Sequence, residues 1–261
     1  MMLPLWGIPL IAVTVWVLWL LERRYPAYTL PVADVLMDWK LVIIRLGMNQ
    51  LITPVIGAVA IVVINAMGAG FIHLRVDGWW FLLSLVAVVL ITDFAAYAIH
   101  VANHKIPMLW AMHSLHHSAE ALSIITGARH FWALDVVNTI PFLALAIVFK
   151  VPPEIVTWAA LLHLLPCGLS HMNVRFSLGR FALVVNNPQY HRIHHSVERQ
   201  HHEKNFCQIF PLFDVIFGTA WKPAKDEFPA AGLVPRDPAT GFMDGLIWPV
   251  RNLRWVRGVA G

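Results

Sequence analysis

The sequence predicts an all-α integral membrane protein, a bundle of about five transmembrane crossings capped by a histidine-rich segment. Three observations carry that expectation. Of 261 residues, 58% are hydrophobic and only 13% are charged, whereas soluble domains run near about 45–50% apolar and about 25% charged. Several apolar stretches approach the roughly 20 residues that a crossing needs. The chain also holds 14 histidines, and most of them crowd between and after those stretches. A soluble monomer of this composition would lack the polar surface to cover its core. Disorder, a coiled coil, a disulfide scaffold and a nucleic-acid binder are excluded on the same grounds. The formal charge of +4 includes no long Lys/Arg run. Cys167 and Cys207 form no framework and match no metal spacing by themselves.

The elements follow in order. Leu5–Leu21 is the first crossing, closed by Glu22-Arg23-Arg24. Its Met-Met-Leu-Pro-Leu-Trp opening has no basic n-region and no small-residue cleavage site, so it reads as a retained anchor. Tyr25–Pro31, with two prolines, is a loop. Ala33–Gly47 mixes apolar residues with Asp34, Asp38, Lys40 and Arg45, as an interfacial helix does. Leu51–Ile72 is the second crossing, followed by a short polar turn at His73–Gly78. Trp79–Asn103 is the third, and Trp39, Trp79, Trp80 and Trp132 suit an interface belt. Lys105–His130 is polar and histidine-rich. Phe131–Phe149 and Glu154–His171 are the fourth and fifth crossings, paired around Lys150-Val151-Pro152-Pro153. The chain after Asn173 is more polar.

Basic residues set the orientation. Arg23, Arg24, Lys40 and Arg45 lie between crossings one and two, Lys105 and Arg129 between three and four, and Arg175, Arg180 and Arg192 after five. The opposite loops hold only Arg75 and Lys150. That places the N-terminus outside and the histidine-rich segments on the cytosolic side.

Residues three and four apart share a helix face. His113-Ser-Leu-His116-His117 and His191-Arg-Ile-His194-His195 both have that spacing, His100 and His104 form an i, i+4 pair, and His171 ends the fifth crossing. Imidazole is a good ligand for iron, zinc and copper. Nine imidazoles exceed the demand of one ion and suit two. Soluble two-iron bundles use Glu plus Glu-x-x-His on inward faces; that motif is missing here, and histidines take the role. An all-imidazole pair under a membrane bundle points to O2 chemistry on a bilayer substrate. Two other classes compete. A histidine-rich membrane metal transporter would spread ionisable residues through the membrane depth. A haem-binding membrane electron carrier would need only two to four histidines.

The motifs Asp93-x3-Tyr97-x2-His100-x3-His104, His113-Ser-Leu-His116-His117, Ser170-His171-Met-Asn173-Val-Arg175 and Asn187-Pro-Gln-Tyr-His191-Arg-Ile-His194-His195 occur in that order. Together they resemble the fatty acid hydroxylase superfamily, the sterol desaturase-like membrane non-haem di-iron oxygenases. Asn205-Phe206 and Leu212–Thr219 are similar to that group's C-terminal signature. The resemblance covers about half the chain, from Asp93 to Thr219, and departs at Val197–Glu203, where His201 and His202 stand just before Asn205. It implies that His100, His104, His113, His116, His117, His171, His191, His194 and His195 are metal ligands for two Fe ions, for which zinc or another divalent metal can substitute in purified protein. It further implies O2 as co-substrate and hydroxylation or desaturation of an unactivated C–H position in a sterol, fatty acyl or isoprenoid-like lipid. The chain then divides into anchor helices at 1–92, a catalytic region at 93–220 and a cytosolic tail at 221–261. The sequence carries neither a dinucleotide fingerprint nor an iron–sulfur cysteine cluster, so electrons must come from a separate reductase, ferredoxin or cytochrome. Oligomeric state is not legible, and no nucleic-acid partner is expected.

Two further residues are assigned catalytic roles. Asp93 lies on the His100/His104 face about 10 Å deeper, by seven residues at about 1.5 Å each, where it is expected to hold the ring nitrogen of a ligand on a neighbouring helix. His130 is expected as a tenth ligand or as support for one. Asn173, Arg175, Asn205 and Asp214 are expected to fix loops around the metals. Arg192 should face away toward an anion, His163 should pack or meet substrate, and His73 has no role. His201 and His202 are expected as solvated loop residues.

Overall fold

The structure, a computed structural model, describes residues 7–68 and 70–258. The expected first crossing begins at Leu5, so its first two residues lie outside the described ones, as do the last three of the expected tail. The described chain is helical: α1 (Gly7–Arg24), α2 (Val32–Ala66), α3 (Trp80–Lys105), α4 (Pro107–His117), α5 (Trp132–Val148), α6 (Pro153–Ser170), α7 (Pro188–His194), α8 (Leu212–Ile216) and α9 (Phe242–Gly258). Two-residue strands β1 (Ile72–His73) and β2 (Phe149–Lys150) pair in parallel, Ile72 opposite Phe149.

Helices α2 and α3 are long and apolar enough to cross a bilayer, and α5 is apolar but shorter. α1, α5 and α6 occupy the positions of the other expected crossings. The apolar window of α2 is wholly unburied, and Val55, Val59 and Val62 face outward from the bundle. A solvent of lipid tails, not a protein core, suits such a face.

One expectation is corrected. The interfacial helix at Ala33–Gly47 and the crossing from Leu51 are a single 35-residue helix, α2, which Pro54 does not break. The physical reason is that its polar half is not laid on a membrane surface. Asp38 meets Arg129 at 2.8 Å, and Arg45 meets Asp135 at 2.7 Å and the Ala128 carbonyl at 2.9 Å. Asp38 and Arg45 thus find partners in the histidine-rich loop and at the start of α5, and the helix runs on continuously.

α3 packs against α4, α5 and α6, and α1 packs against α6. The β1–β2 pair lies near the N-terminal ends of α3 and α6. The C-terminal ends of these helices carry His104 and His171, so the two features stand at opposite ends of the bundle. α9 lies against α2 and α4. Its fully buried Trp248 joins Leu41, Met112, Leu115, Phe131 and Leu134 in the main hydrophobic cluster, and Trp248 Nε1 donates to Ser114 Oγ at 2.9 Å.

Candidate metal centre

Two short helices bring the triples together. Pro107 opens α4 and Pro188 opens α7, each at the first turn, where a missing N–H does no harm and the fixed φ suits a helix. Asn187 caps α7 by accepting from the Tyr190 amide at 3.2 Å.

The nine expected ligands gather in two groups. His100, His104, His113, His117 and His194 form the first; His116, His171, His191 and His195 form the second. Within each, one nitrogen per ring lies within 4.8 Å of all the others. The groups adjoin, with His117 stacked on His195 at 4.3 Å between centroids. The partition follows helix geometry. In both triples the i and i+4 residues stay together, while i+3 turns to the other group.

The nitrogens themselves test the fit to cations. His100 Nδ1 donates to the Phe206 carbonyl at 2.8 Å and His194 Nδ1 to the Lys204 carbonyl at 2.8 Å. His116 Nδ1 donates to the Arg129 carbonyl and His171 Nδ1 to the Cys167 carbonyl, both at 3.3 Å. A neutral imidazole donates at one nitrogen only, so Nε2 of each ring presents a lone pair. Yet His116 Nε2 and His171 Nε2 lie 3.1 Å apart. Two facing lone pairs cannot form a hydrogen bond; a cation between them reconciles the arrangement. Nε2 of His104, His117 and His194 is buried with no partner at all, which is costly unless something binds it. Burial pushes His113, His116, His117, His191, His194 and His195 well below the usual imidazole range. Neutral imidazole is the form that ligates.

Carboxylates tie down the loops whose carbonyls hold the rings. Asp214 accepts from the Phe206 and Cys207 amides at 2.8 and 2.9 Å and from the Tyr190 hydroxyl at 3.0 Å. Asn205 takes a left-handed φ of 59°. Its side chain donates to the Tyr190 and Trp221 carbonyls and accepts from the Trp221 amide at 2.7 Å. Asn173 bridges to the Tyr28 backbone, and Glu22 accepts from the Ile124 and Asn173 amides. Arg175 instead lies over the Phe228 ring.

Other expected residues fall differently. Asp93 meets no ring nitrogen. Its two oxygens accept from the Ile209 and Phe210 amides at 2.9 and 3.0 Å, because the 206–210 segment crosses α3 at that depth. His130 lies outside both groups: it stacks on His116 at 4.3 Å and donates from Nε2 to the Gly127 carbonyl. His163 pairs with Thr92 at 2.8 Å. Arg192 donates to the Pro229 carbonyl and sits over the Tyr28 ring, so among the described residues its partners are a carbonyl and an aromatic ring. His201 is not a solvated residue. It is buried between Ser196 at 2.9 Å and Glu227 at 3.0 Å, edge-on to Trp221. His202 is exposed.

Three supports escape a reading of the sequence. Glu203, at a left-handed φ of 61°, places a carboxylate 3.7 Å from His104 Nδ1 and 2.9 Å from Lys105; contact with His104 first, and Lys105 after it, holds its carboxyl down at about 2. The buried Asp38–Arg129 pair fixes the backbone that receives His116. Nothing local in the sequence pairs these two residues, which stand 91 positions apart. Trp248 braces α4 from 134 positions away. A cavity of about 160 Å³ lies beside both groups and is lined by His100, His113, His116, His171 and His191.

The sequence profile of the fatty acid hydroxylase family matches residues 85–219. The chain is 32% identical over 127 residues to an alkylglycerol monooxygenase of Homo sapiens, covering 49% of this chain and 28% of that protein. It is 28% identical over 182 residues to the ornithine lipid hydroxylase OlsE of Rhizobium tropici, covering 68% of this chain and 53% of that one. An alkylglycerol monooxygenase of Caenorhabditis elegans is 29% identical over 145 residues, 56% of this chain and 28% of that protein. The chain thus spans between about a quarter and a half of the length of these relatives. No solved structure matches.

Proposed function

This chain belongs to the fatty acid hydroxylase family, and from that premise we propose that it is a membrane monooxygenase that hydroxylates a C–H position of a lipid. The nine histidines hold two irons, His100, His104, His113, His117 and His194 around one and His116, His171, His191 and His195 around the other. The observation that carries this reading is the convergence of nine neutral imidazoles, four of them locked by carbonyls so that Nε2 points inward. Once bound, the irons would supply O2 reduction and the oxidant that removes hydrogen from carbon. One oxygen atom enters the C–H bond and the other leaves as water, which consumes two electrons and two protons. The electrons come from a separate reductase, ferredoxin or cytochrome.

The chain's own part is to hold and orient. Carbonyls of Phe206, Lys204, Arg129 and Cys167 fix the ligand rings, the arrangement that sets tautomer and basicity at metal sites. Asp93 acts through the 206–210 segment, and His130 through its stack on His116. α1, α2, α3, α5 and α6 are the five crossings, with the histidine end in the cytosol. Arg23, Arg24, Lys40, Arg45, Lys105 and Arg129 support that side. Hydroxylation is favoured over desaturation because the relatives named above are a monooxygenase and a hydroxylase. A transporter reading is disfavoured because the paired histidine groups stand at one end of the bundle. A haem carrier leaves five or more rings without purpose.

Metal analysis of protein purified from iron-replete cells tests the centre: about two irons without a haem Soret band support it, and haem or no bound metal refutes it. Lipid profiling under 18O2 tests the reaction. A product heavier by one labelled oxygen supports hydroxylation; loss of two hydrogens without label overturns it in favour of desaturation.

A further inference from the structure

Residues 205–219 form a closed loop on the flank of α3. Its neck is tied where the Asn205 amide donates to the Thr219 carbonyl at 3.0 Å and Lys204 Nζ donates to the Gly218 carbonyl at 3.3 Å. Its far end reaches Asp93, on the Ile209 and Phe210 amides, about 10 Å deeper along α3 than His100 at about 1.5 Å per residue. α8 is the returning limb. Its Phe213 ring lies 5.1 Å from Phe94, and Phe217 lies 6.1 Å from Phe94 and 5.6 Å from Tyr97. The outer surface of this limb is apolar and open: Leu212, Val215, Ile216 and Phe217 are 45–60% exposed. From Phe206 to Phe217 the one charged side chain is Asp214, and it is buried. Glu203 and Lys204 precede the loop, and Lys222, Lys225 and Asp226 follow it. Many of its backbone groups are met from within. Asp214 takes the Phe206 and Cys207 amides. Asn186 donates from Nδ2 to the Cys207 and Gln208 carbonyls and from its amide to the Ile209 carbonyl at 2.7 Å. His100 Nδ1 takes the Phe206 carbonyl. Water would meet these groups at no cost to the fold; in hydrocarbon an irregular backbone persists only when the protein meets them itself.

We propose that residues 205–219 are a re-entrant membrane element. The loop dips from the histidine end of the bundle into the adjoining leaflet and lays Leu212, Val215, Ile216 and Phe217 among lipid tails, while Lys204 and Lys222 stay at headgroup level. This rests on the proposed reading of α3 as a crossing. Lipid is the occupant, and not a protein, because the open face continues the exposed side of α3 itself, at Val86, Leu90 and Phe94, with no charged residue between them. Residues 80–99 of α3 fill a hydrocarbon core of roughly 30 Å at about 1.5 Å per residue. Phe94 then lies about 9 Å inside the level of His100, within the roughly 5–10 Å to which an interfacial apolar face sinks. The loop whose Phe206 carbonyl holds His100 is thereby seated by lipid.

The first test uses unaltered full-length protein in phosphatidylcholine discs, photolabelled by a phosphatidylcholine that carries a diazirine in its acyl chain. After trypsin, label should appear on peptide 205–225 as it does on peptide 46–75 from α2, and should be several-fold lower on peptide 226–236. A second test gives the depth. Nitroxides attached at Val215→Cys and Ile216→Cys are compared with one at Val59→Cys in α2 and one at Asp226→Cys beyond the loop. Collisions with oxygen should exceed those with a water-soluble nickel chelate several-fold at 215 and 216, as at 59, and the order should reverse at 226. The photolabel needs no substitution, so a variant that fails to fold leaves the outcome readable. An unlabelled 205–225 peptide, or nickel access above oxygen at both 215 and 216, overturns the proposal alone so long as 46–75 and Val59 meet lipid. Exclusion of both reagents from 215 and 216 overturns it in favour of a protein seated on this face. An unlabelled 46–75 and a water-exposed Val59 would instead sink the membrane reading itself.

Discussion

The two histidine groups share α4 and α7 but differ in their third helix and in the loops that hold them. The first draws on α3, α4 and α7 and leans on residues 203–206, where Glu203 and Asn205 both adopt left-handed backbone. That segment is half open to solvent at Glu203. The second draws on α4, α6 and α7 and leans on residues 126–130, which a buried ion pair anchors to α2. One position is therefore shaped by backbone conformation near the surface, the other by charge pairing in the interior. Loss of a loop support should affect one position before the other.

The largest effects come from the rings themselves. His194→Ala should empty the first position and His116→Ala the second, each lowering bound metal from about two equivalents to about one and abolishing turnover. Full metal and full rate in either variant would refute the assignment. Asp38→Asn should come next. It leaves the Arg129 guanidinium buried without its counter-charge, a change that costs about 3–5 kcal/mol, and it should loosen the second position more than the first. Denaturant unfolding and site-resolved spectroscopy of the metals check both statements; equal weakening of the two positions would erase the distinction.

Protons probe both groups together. A histidine whose folded pKa lies below the ordinary 6.5 takes up its proton first in the unfolded chain. Metal-free protein should therefore keep full stability above 6.5 and lose it as pH falls below 6.5 toward the depressed values of rings such as His116 and His195. A melting temperature that stays flat well below 6.5 would contradict the burial of these rings. The smallest effect is expected from Glu203→Gln, about tenfold in metal affinity at the first position, the lower end of what outer supports provide. Metal titration followed at each position reads it, and a larger loss at the second position would reverse the comparison.

Much of this was legible in the sequence because helical spacing is local. The triples at 113–117 and 191–195, the pair at 100 and 104, and the helix-ending His171 needed only the 3.6-residue period. The split of each triple between two groups was not legible, since it depends on how α4 and α7 face one another. Asp93 was correctly placed deep in α3, but its partners lie more than a hundred positions away in the 206–210 segment, and no local pattern announces a long-range amide contact. His201 looked like a loop residue for the same reason. Its burial depends on Glu227 and Trp221, which follow it by more than a turn of any helix. The polar half of α2 misled in a different manner: isolated charges among apolar residues fit an interfacial helix and a charge-paired buried face equally well.

The contact of Trp248 with Ser114 bears on when the protein becomes competent. α4 supplies three rings, yet its brace belongs to a helix translated much later. A nascent chain that has already made every histidine still lacks the wedge that seats this helix. Cofactor uptake should accordingly follow synthesis through α9, and proteolytic clipping just before Phe242 would loosen the grip on metal without removing a single donor atom.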